Sequence, residues 1–561
     1  MRSAAAAWPL LALLAALAGC AGAYAPLEKI EGEDPDDTET PDDSAVADLH
    51  PPVRPALSDP ARFLRRAALD ITGHLPSPEA LSRVSADPAS LDAELAALLE
   101  HPGVAERMVH VLDERWHVRY EAIPVGPSDF GFEESRRYEL ARSVTEEPLR
   151  WMAHVITEDL SWDRILDSDT TMAVPLLAEV WPLEIVGEAN TDGWAPARWT
   201  DHRPEAGVLA SNGLWWRYAT TAFNYNRTRA AAATRLLVCH DFLETVVEFE
   251  SPSLVDEEGT AAAIRENPSC VACHGALDPI AAAMFGFWAF ELYDPLELSH
   301  YHPEREPLGE ELLQHSPAWF GTPVEGLAEL APTIAADRRF PRCAVDTFAN
   351  AMWRRGTQTE DSELIGDLTD IFEADGRRVK PLLLHLTATE AYVGNLAASP
   401  PPGAHDRFLG PQQLSAVLRE TVGFTWTYSG ENQLDSDVTG LRVALGGVDG
   451  EEVTSPKRSV DANLVLAWRA AAEAAARHAL ADLAVADCAL LPGADLNTRP
   501  GDAAFDASLA YATTWLTGQP ADAPTLDALT GLWLVAGEGD PAEGWATVLS
   551  ALFQDPAFVT Y

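Results

Sequence analysis

Basic residues are scarce in this chain: 39 Lys and Arg stand against 87 Asp and Glu, a formal charge of −48. That imbalance repels nucleic acid and anionic lipid, and no basic patch offsets it, so nucleic-acid binding is disfavoured. The abundant carboxylates do not form an Asp-x-Asp-x-Asp-Gly loop with a closing Glu, and they read as solvated surface rather than a calcium site. Gly-x-Ser-x-Gly and His-Glu-x-x-His are both missing, and no carboxylate pair is marked out by its neighbours, which leaves a hydrolase without a motif. After the first twenty residues no apolar run is long enough to span a bilayer. Cysteine is sparse, six in 561 residues, so each one carries weight.

What is present is a large folded body. A hydrophobic content of 47% and 17 Trp supply two or three cores. Ahead of it, Met1-Arg2, an Ala/Leu-rich run and Leu17-Ala18-Gly19-Cys20 have the charge, apolar centre and small-residue end of an export signal. The placement of Cys20 resembles a bacterial lipobox. That resemblance implies a signal peptide over 1–20, a lipidated Cys20 and, with Ala21 rather than Asp following, an outer-membrane anchor. From Glu28 to Asp48 the chain is dense in Asp, Glu, Pro and Thr, and 21–57 reads as an acidic, self-repelling tether.

The stretch with the most specific chemistry is Cys270-Val-Ala-Cys273-His274. Two thiols three positions apart lie about one helical turn from each other, so both can bond to the vinyl groups of one haem, and the adjoining His274 can reach the iron as proximal ligand. The competing readings are a redox or structural disulfide and half of a metal clip. No strand-then-helix pattern of the thioredoxin kind surrounds the pair, and no second Cys pair or close His pair comes after it at zinc spacing. With Cys20 and the motif set aside, Cys239, Cys343 and Cys488 remain. Cys239 and Cys343 flank the motif and are the expected disulfide, with buried free thiols as the alternative.

Helical periodicity runs through the body. Phe63, Leu64, Ala67, Ala68 and Ile71 fall on one face, with Arg62, Arg65 and Arg66 on the other and Gly73 at the end. Ser77-Pro78 starts a second helix, Asp87-Pro88 precedes a third, and a fourth runs from about Val104 to Tyr120. A helical stretch is expected over 135–173, with Leu149, Met152, Val155 and Ile156 at core spacing, and a Pro-rich break at Ser399 to Gly403 opens a last domain.

Several blocks resemble a family of exported planctomycete and myxobacterial multidomain proteins of unknown function that carry a Cys-x-x-Cys-His segment. Arg65-Arg66-Ala-Ala-Leu69-Asp70-Ile71-Thr72-Gly73, with Pro76-Ser-Pro78-Glu79 after it, is similar to that family's opening, and Leu160 to Ala173 to its second block. Gly207 to Trp216, Asn226-Arg227-Thr228-Arg229 and Leu236-Leu237-Val238-Cys239 resemble the lead into its cytochrome-like motif. Asp278-Pro279, Gly286-Phe287, Phe290-Glu291 and Tyr293-Asp294 resemble the family's continuation past that motif, with an insertion here that introduces Met284. Phe348 to Gly356, Val379 to Tyr392 and Leu445-Gly446-Gly447-Val448-Asp449 are looser echoes. Within the opening block, Asp70 and Thr72 read as helix caps or terminators rather than chemistry.

The expectation is therefore a mainly α, multidomain helical protein with a cytochrome c-like haem segment and few short strands. Its domains are 58–125, 126–398 with the haem segment at about 204–300, and 404–561. One covalent haem c would be held by Cys270, Cys273 and His274, with Met284 as the candidate distal ligand and Met152, Met172 and His385 behind it. Phe285, Phe287, Trp288 and Phe290 would form its apolar surroundings and raise its potential. Function would be electron transfer at the cell envelope, to an unidentified redox partner or envelope protein, from a membrane anchor at the N-terminal lipid. If enzymatic, the protein would be a haem-based oxidoreductase. The alternative is a non-enzymatic surface binding or scaffold protein, handling polysaccharide through Trp pairs such as Trp215-Trp216, with the two cysteines a disulfide or a vestigial haem site.

Overall fold

Helix starts are written locally in this chain, and the computed structural model shows them where side-chain caps stand. It describes residues 53–561 except 124, 222, 245–256, 291–293 and 400–405. The expected signal peptide, Cys20 and most of the tether lie outside the described residues, as do Glu291 and Tyr293. Among the described residues 23 α-helices stand against seven short strands, which makes the protein mainly α. No helix among them is long and apolar enough to cross a membrane.

Helix α1 (Pro60–Ile71) begins at Asp59, whose carboxylate accepts from the amides of Ala61 and Arg62, with Pro60 in the first turn. Ser77 caps α2 (Pro78–Ala86) through the Ala80 amide. Two further helices, α3 (Leu91–Leu98) and α4 (Gly103–Trp116), complete the opening array, and α5 (Arg137–Thr157) packs along α4. Helix α5 buries Leu149, Met152, Val155 and Ile156 as their spacing requires.

The helical expectation over 135–173 holds to Thr157 and again for a short 3-10 turn, Trp162–Ile165. Thr170–Ala173 is a strand, β1, and α6 (Pro175–Val180) leads to β2 (Leu183–Ile185) and β3 (Ala195–Trp199). The three form an antiparallel sheet in the order β1-β3-β2, with Thr171 opposite Ala197 and Leu183 opposite Trp199. The β-branched Thr170-Thr171 pair suits a pleated surface, and β3 supplies the partner edge.

Contacts divide the chain into two compact units: Leu49–His240 with Ala276–Tyr561, and a smaller one whose described residues lie within Asp241–Gly275. In the larger unit the three segments expected as domains share a core. Arg65 and Arg66, expected on an outer face, are 2% and 1% exposed. Their guanidinium groups satisfy carbonyls at distant helix ends: Arg65 donates to Phe558 O (2.8 Å) and Thr560 O (3.0 Å), and Arg66 to Val393 O (2.9 Å) and Tyr561 O (3.2 Å). Burial without a carboxylate partner lowers Arg65 to about 9. Thr72 ends α1, its hydroxyl donating to the Ala68 carbonyl at 2.7 Å. Asp70 caps nothing: its buried carboxylate accepts from Arg407 Nη1 (2.6 Å) and Tyr561 Oη (2.7 Å).

The closing helices pack on small residues. Ala467, Ala471, Ala475 and Ala479 of Ala462–Ala484 recur every fourth position and are buried on the side that meets Pro541–Leu552.

Candidate functional site

The Cys-x-x-Cys-His motif is built on a helix with a legible start. Asn267 accepts the Ser269 amide on its side chain at 2.9 Å, Pro268 occupies the first turn, and α10, after α7 (Asn212–Arg217), α8 (Arg227–Leu237) and α9 (Glu257–Glu266), runs Pro268–Ala282. Cys270, Cys273 and His274 therefore occupy its first two turns. Residues three apart on a helix are surface neighbours, so both sulfurs project from one side. Both are free thiols and both are half-buried. Burial raises the Cys273 thiol, and Cys270 beside it adds to the rise. The two sulfurs are not bonded to each other in this structure. Among the described residues no group of three His, Cys, Asp or Glu converges as a metal site, so the pair gains no further zinc ligands there.

Proline ends the motif's half of the helix. Pro279 has no N–H for the carbonyl of Gly275, four residues earlier, and the division between the two units falls at Gly275. In the larger unit, the stretch Asn226 to Arg229 grips the backbone beyond the motif. Arg227 closes a two-pronged ion pair on buried Asp278, Nε to Oδ1 at 2.7 Å and Nη2 to Oδ2 at 2.8 Å. Asn226 sits at φ 63° and donates through Nδ2 to the Met284 carbonyl at 3.0 Å. Arg229, fully buried and lowered to about 9 by that burial, donates to the Phe287 carbonyl. These residues work by positioning the chain after the motif, a role sequence spacing does not reveal.

Met284, the expected distal ligand, is 1% exposed at the start of a short 3-10 turn, Phe285–Phe287. Phe285, Phe287 and Trp288 are buried, whereas Phe290 is 55% exposed with the Arg305 guanidinium 4.6 Å from its ring centre. Met152 and Met172 are buried core residues. His385 stands 3.9 Å from Asp375 and is lowered by burial. Trp215 and Trp216 are not a surface for sugar rings: they are 1% and 2% exposed, and their indole N–H groups donate to Leu209 O (2.7 Å) and Leu298 O (2.9 Å).

Cys239 and Cys343 form a disulfide, S–S 2.10 Å, that joins the end of α8 to the helix Arg339–Trp353. The residues it links are 104 apart, and closing a loop of that length stabilises the fold by about 4–5 kcal/mol in the chain-entropy treatment. Cys488 is a buried free thiol.

A second feature, invisible to motif reading, is a cleft of about 680 Å³ lined from α4, α5 and the segment after Pro411. None of the residues expected to hold a cofactor borders it. No protein-family model, no curated protein and no solved structure matches the chain.

Proposed function

We propose that this chain is an envelope lipoprotein carrying one covalently bound haem c and serving electron transfer, in keeping with the family it resembles in sequence. The observation that carries this reading is the pair of unbonded thiols, Cys270 and Cys273, one turn apart on a capped helix with His274 beside the second. Each thiol would hold the porphyrin by adding its S–H across a vinyl group, and the His274 imidazole would ligate the iron. A haem so held supplies one-electron transfer. The chain's own contribution is to set the two sulfurs and the imidazole in successive turns of one helix. Met284 is the proposed further ligand, and its thioether would favour the reduced iron.

Two further features support export and anchoring. The Cys239–Cys343 bond suits an oxidising compartment. Cys20 stands where a lipid would be attached, ahead of a segment dense in Asp and Glu.

The direct test of attachment is the intact mass of the full chain expressed with and without a cytochrome c maturation system. The account expects a gain of one haem with the system present. An unchanged mass in both hosts would sink it.

A further inference from the structure

The 680 Å³ cleft is walled by charge, yet nearly all of that charge is already spoken for. Arg142, Arg150, Glu106 and Asp435, which line the cleft, interlock with Arg119 and Glu146 behind them. Arg119 reaches Glu146 at 3.1 Å and Asp435 at 2.9 Å; Arg142 reaches Glu146 at 2.8 Å; Arg150 reaches Glu106 and Glu146, each at 2.6 Å. His110 completes the lattice, its Nδ1 accepting from Arg119 at 3.1 Å and its Nε2 facing Glu106 at 3.3 Å. At the rim, Glu139 is held by Arg136 at 2.9 Å and Asp192 stands 4.0 Å from Arg150.

Deep in the cleft, Arg107 is an exception. It is 5% exposed and lines the cleft, and its hydrogen bond to the protein runs from Nε to the Asp70 carbonyl at 3.1 Å. Among the described residues no acceptor meets Nη1 or Nη2 and no carboxylate lies within ion-pair distance. The side chain is nine-tenths buried, and its terminal nitrogens are left open to the cleft, where an acceptor can take both.

Its surroundings favour an anion. Arg107 sits one turn into α4, a 14-residue helix whose N-terminus borders the cleft at Gly103 and whose N-cap residue, Pro102, offers no side-chain acceptor. Gly103 is needed there, because a Cβ would lie 2.6 Å from both Thr72 O and His74 Cδ2. His101 accepts the Gly103 amide on Nδ1 at 3.0 Å, which leaves Nε2 as a donor in the neutral ring, and burial lowers this histidine, holding it neutral. At the rim, Arg419 also lacks a carboxylate partner among the described residues.

We propose that the cleft binds a small hydroxylated carboxylate, such as a sugar acid, with its carboxylate forked on Nη1 and Nη2 of Arg107. Of the two cations without a carboxylate partner only Arg107 is deep, so one negative charge is balanced at the bottom of the cleft, whereas a phosphate ester near neutral pH carries close to two. The planar fork matches two carboxylate oxygens. On the remaining wall Gln412 offers a hydrogen-bonding group suited to a hydroxyl, and Tyr138, whose Oη donates to Asp435 at 3.3 Å, can accept from one. The volume admits a ligand of one to a few sugar rings. The site stands independently of the haem reading.

Isothermal titration of the purified full chain with D-glucuronate, D-glucose and inorganic phosphate tests this. The expected result is glucuronate binding, with glucose at least about tenfold weaker and with Arg107→Gln weakening glucuronate by about tenfold or more, the size of a lost charged hydrogen bond. Circular dichroism establishes that the variant folds; should it not, hydrogen exchange of the wild type with glucuronate keeps the test open, and slowed exchange at residues 72–74 and 101–107 is expected. No binding of glucuronate, binding of phosphate in its place, or unchanged affinity in a folded Arg107→Gln would overturn the proposal.

Discussion

The Asp70 carboxylate and the Tyr561 hydroxyl meet at 2.7 Å although 491 positions separate them in the chain. Asp70 is 1% exposed and also holds Arg407, so the first helix, the segment before Pro411 and the last residue share one buried polar node. Removing one side of such a node leaves the other buried and unpaired.

Asp70→Asn should therefore destabilise the fold by about 3–5 kcal/mol, since Arg407 loses its charge partner in the interior. Tyr561→Phe should cost about 1–2 kcal/mol. Urea unfolding followed by Trp fluorescence reads both. Near-equal effects of the two would contradict the ranking.

Opening the Cys239–Cys343 disulfide, as Cys343→Ser or by reduction, should cost about 2–5 kcal/mol. The drop is read as a lower midpoint in the same urea series. The double variant Cys239→Ser/Cys343→Ser should be no worse than the single, because the bond is the shared loss.

Glu147 lies fully buried under the hydroxyls of Thr171 and Ser211, and burial pushes its carboxyl up to about 7. The folded state then binds this proton between about 4.5 and 7 while the unfolded state has released it. Its contribution to stability falls as pH rises through that window, by up to about 3 kcal/mol, and is fully present below it. Glu147→Gln, which cannot ionise, should gain on the wild type between pH 5 and pH 8. A wild-type-minus-variant difference that stays flat with pH would contradict the assignment.

Helix starts were legible because their causes are local. Asp59-Pro60 and Ser77-Pro78 cap α1 and α2 within three residues of themselves. The burial of Arg65 and Arg66 was not, because the carbonyls that receive them belong to helix ends more than 320 residues away. Strand β1 hid for the same reason: Thr170–Ala173 is extended because β3 pairs with it. The haem motif is a five-residue pattern and can be read from five residues. The cleft is not such a pattern: Arg107, His101 and Asp435 come from different elements, and what distinguishes Arg107 is the partner it lacks.

If Met284 ligates the iron, Met284→Ala should lower the midpoint potential of the haem-loaded protein, since loss of the thioether removes a preference for the reduced iron. Potentiometric titration of the two proteins reads the shift. An unchanged potential would place the sixth ligand elsewhere.

The reduced-minus-oxidised visible spectrum of the full chain, matured in a host that attaches haem c, tests the central claim most directly, run beside Cys270→Ala/Cys273→Ala and completed by haem staining after denaturation. The account predicts a c-type spectrum and a stain that survives denaturation in the wild type, and neither in the double variant. A colourless wild type whose Cys270 and Cys273 still titrate as thiols would contradict it.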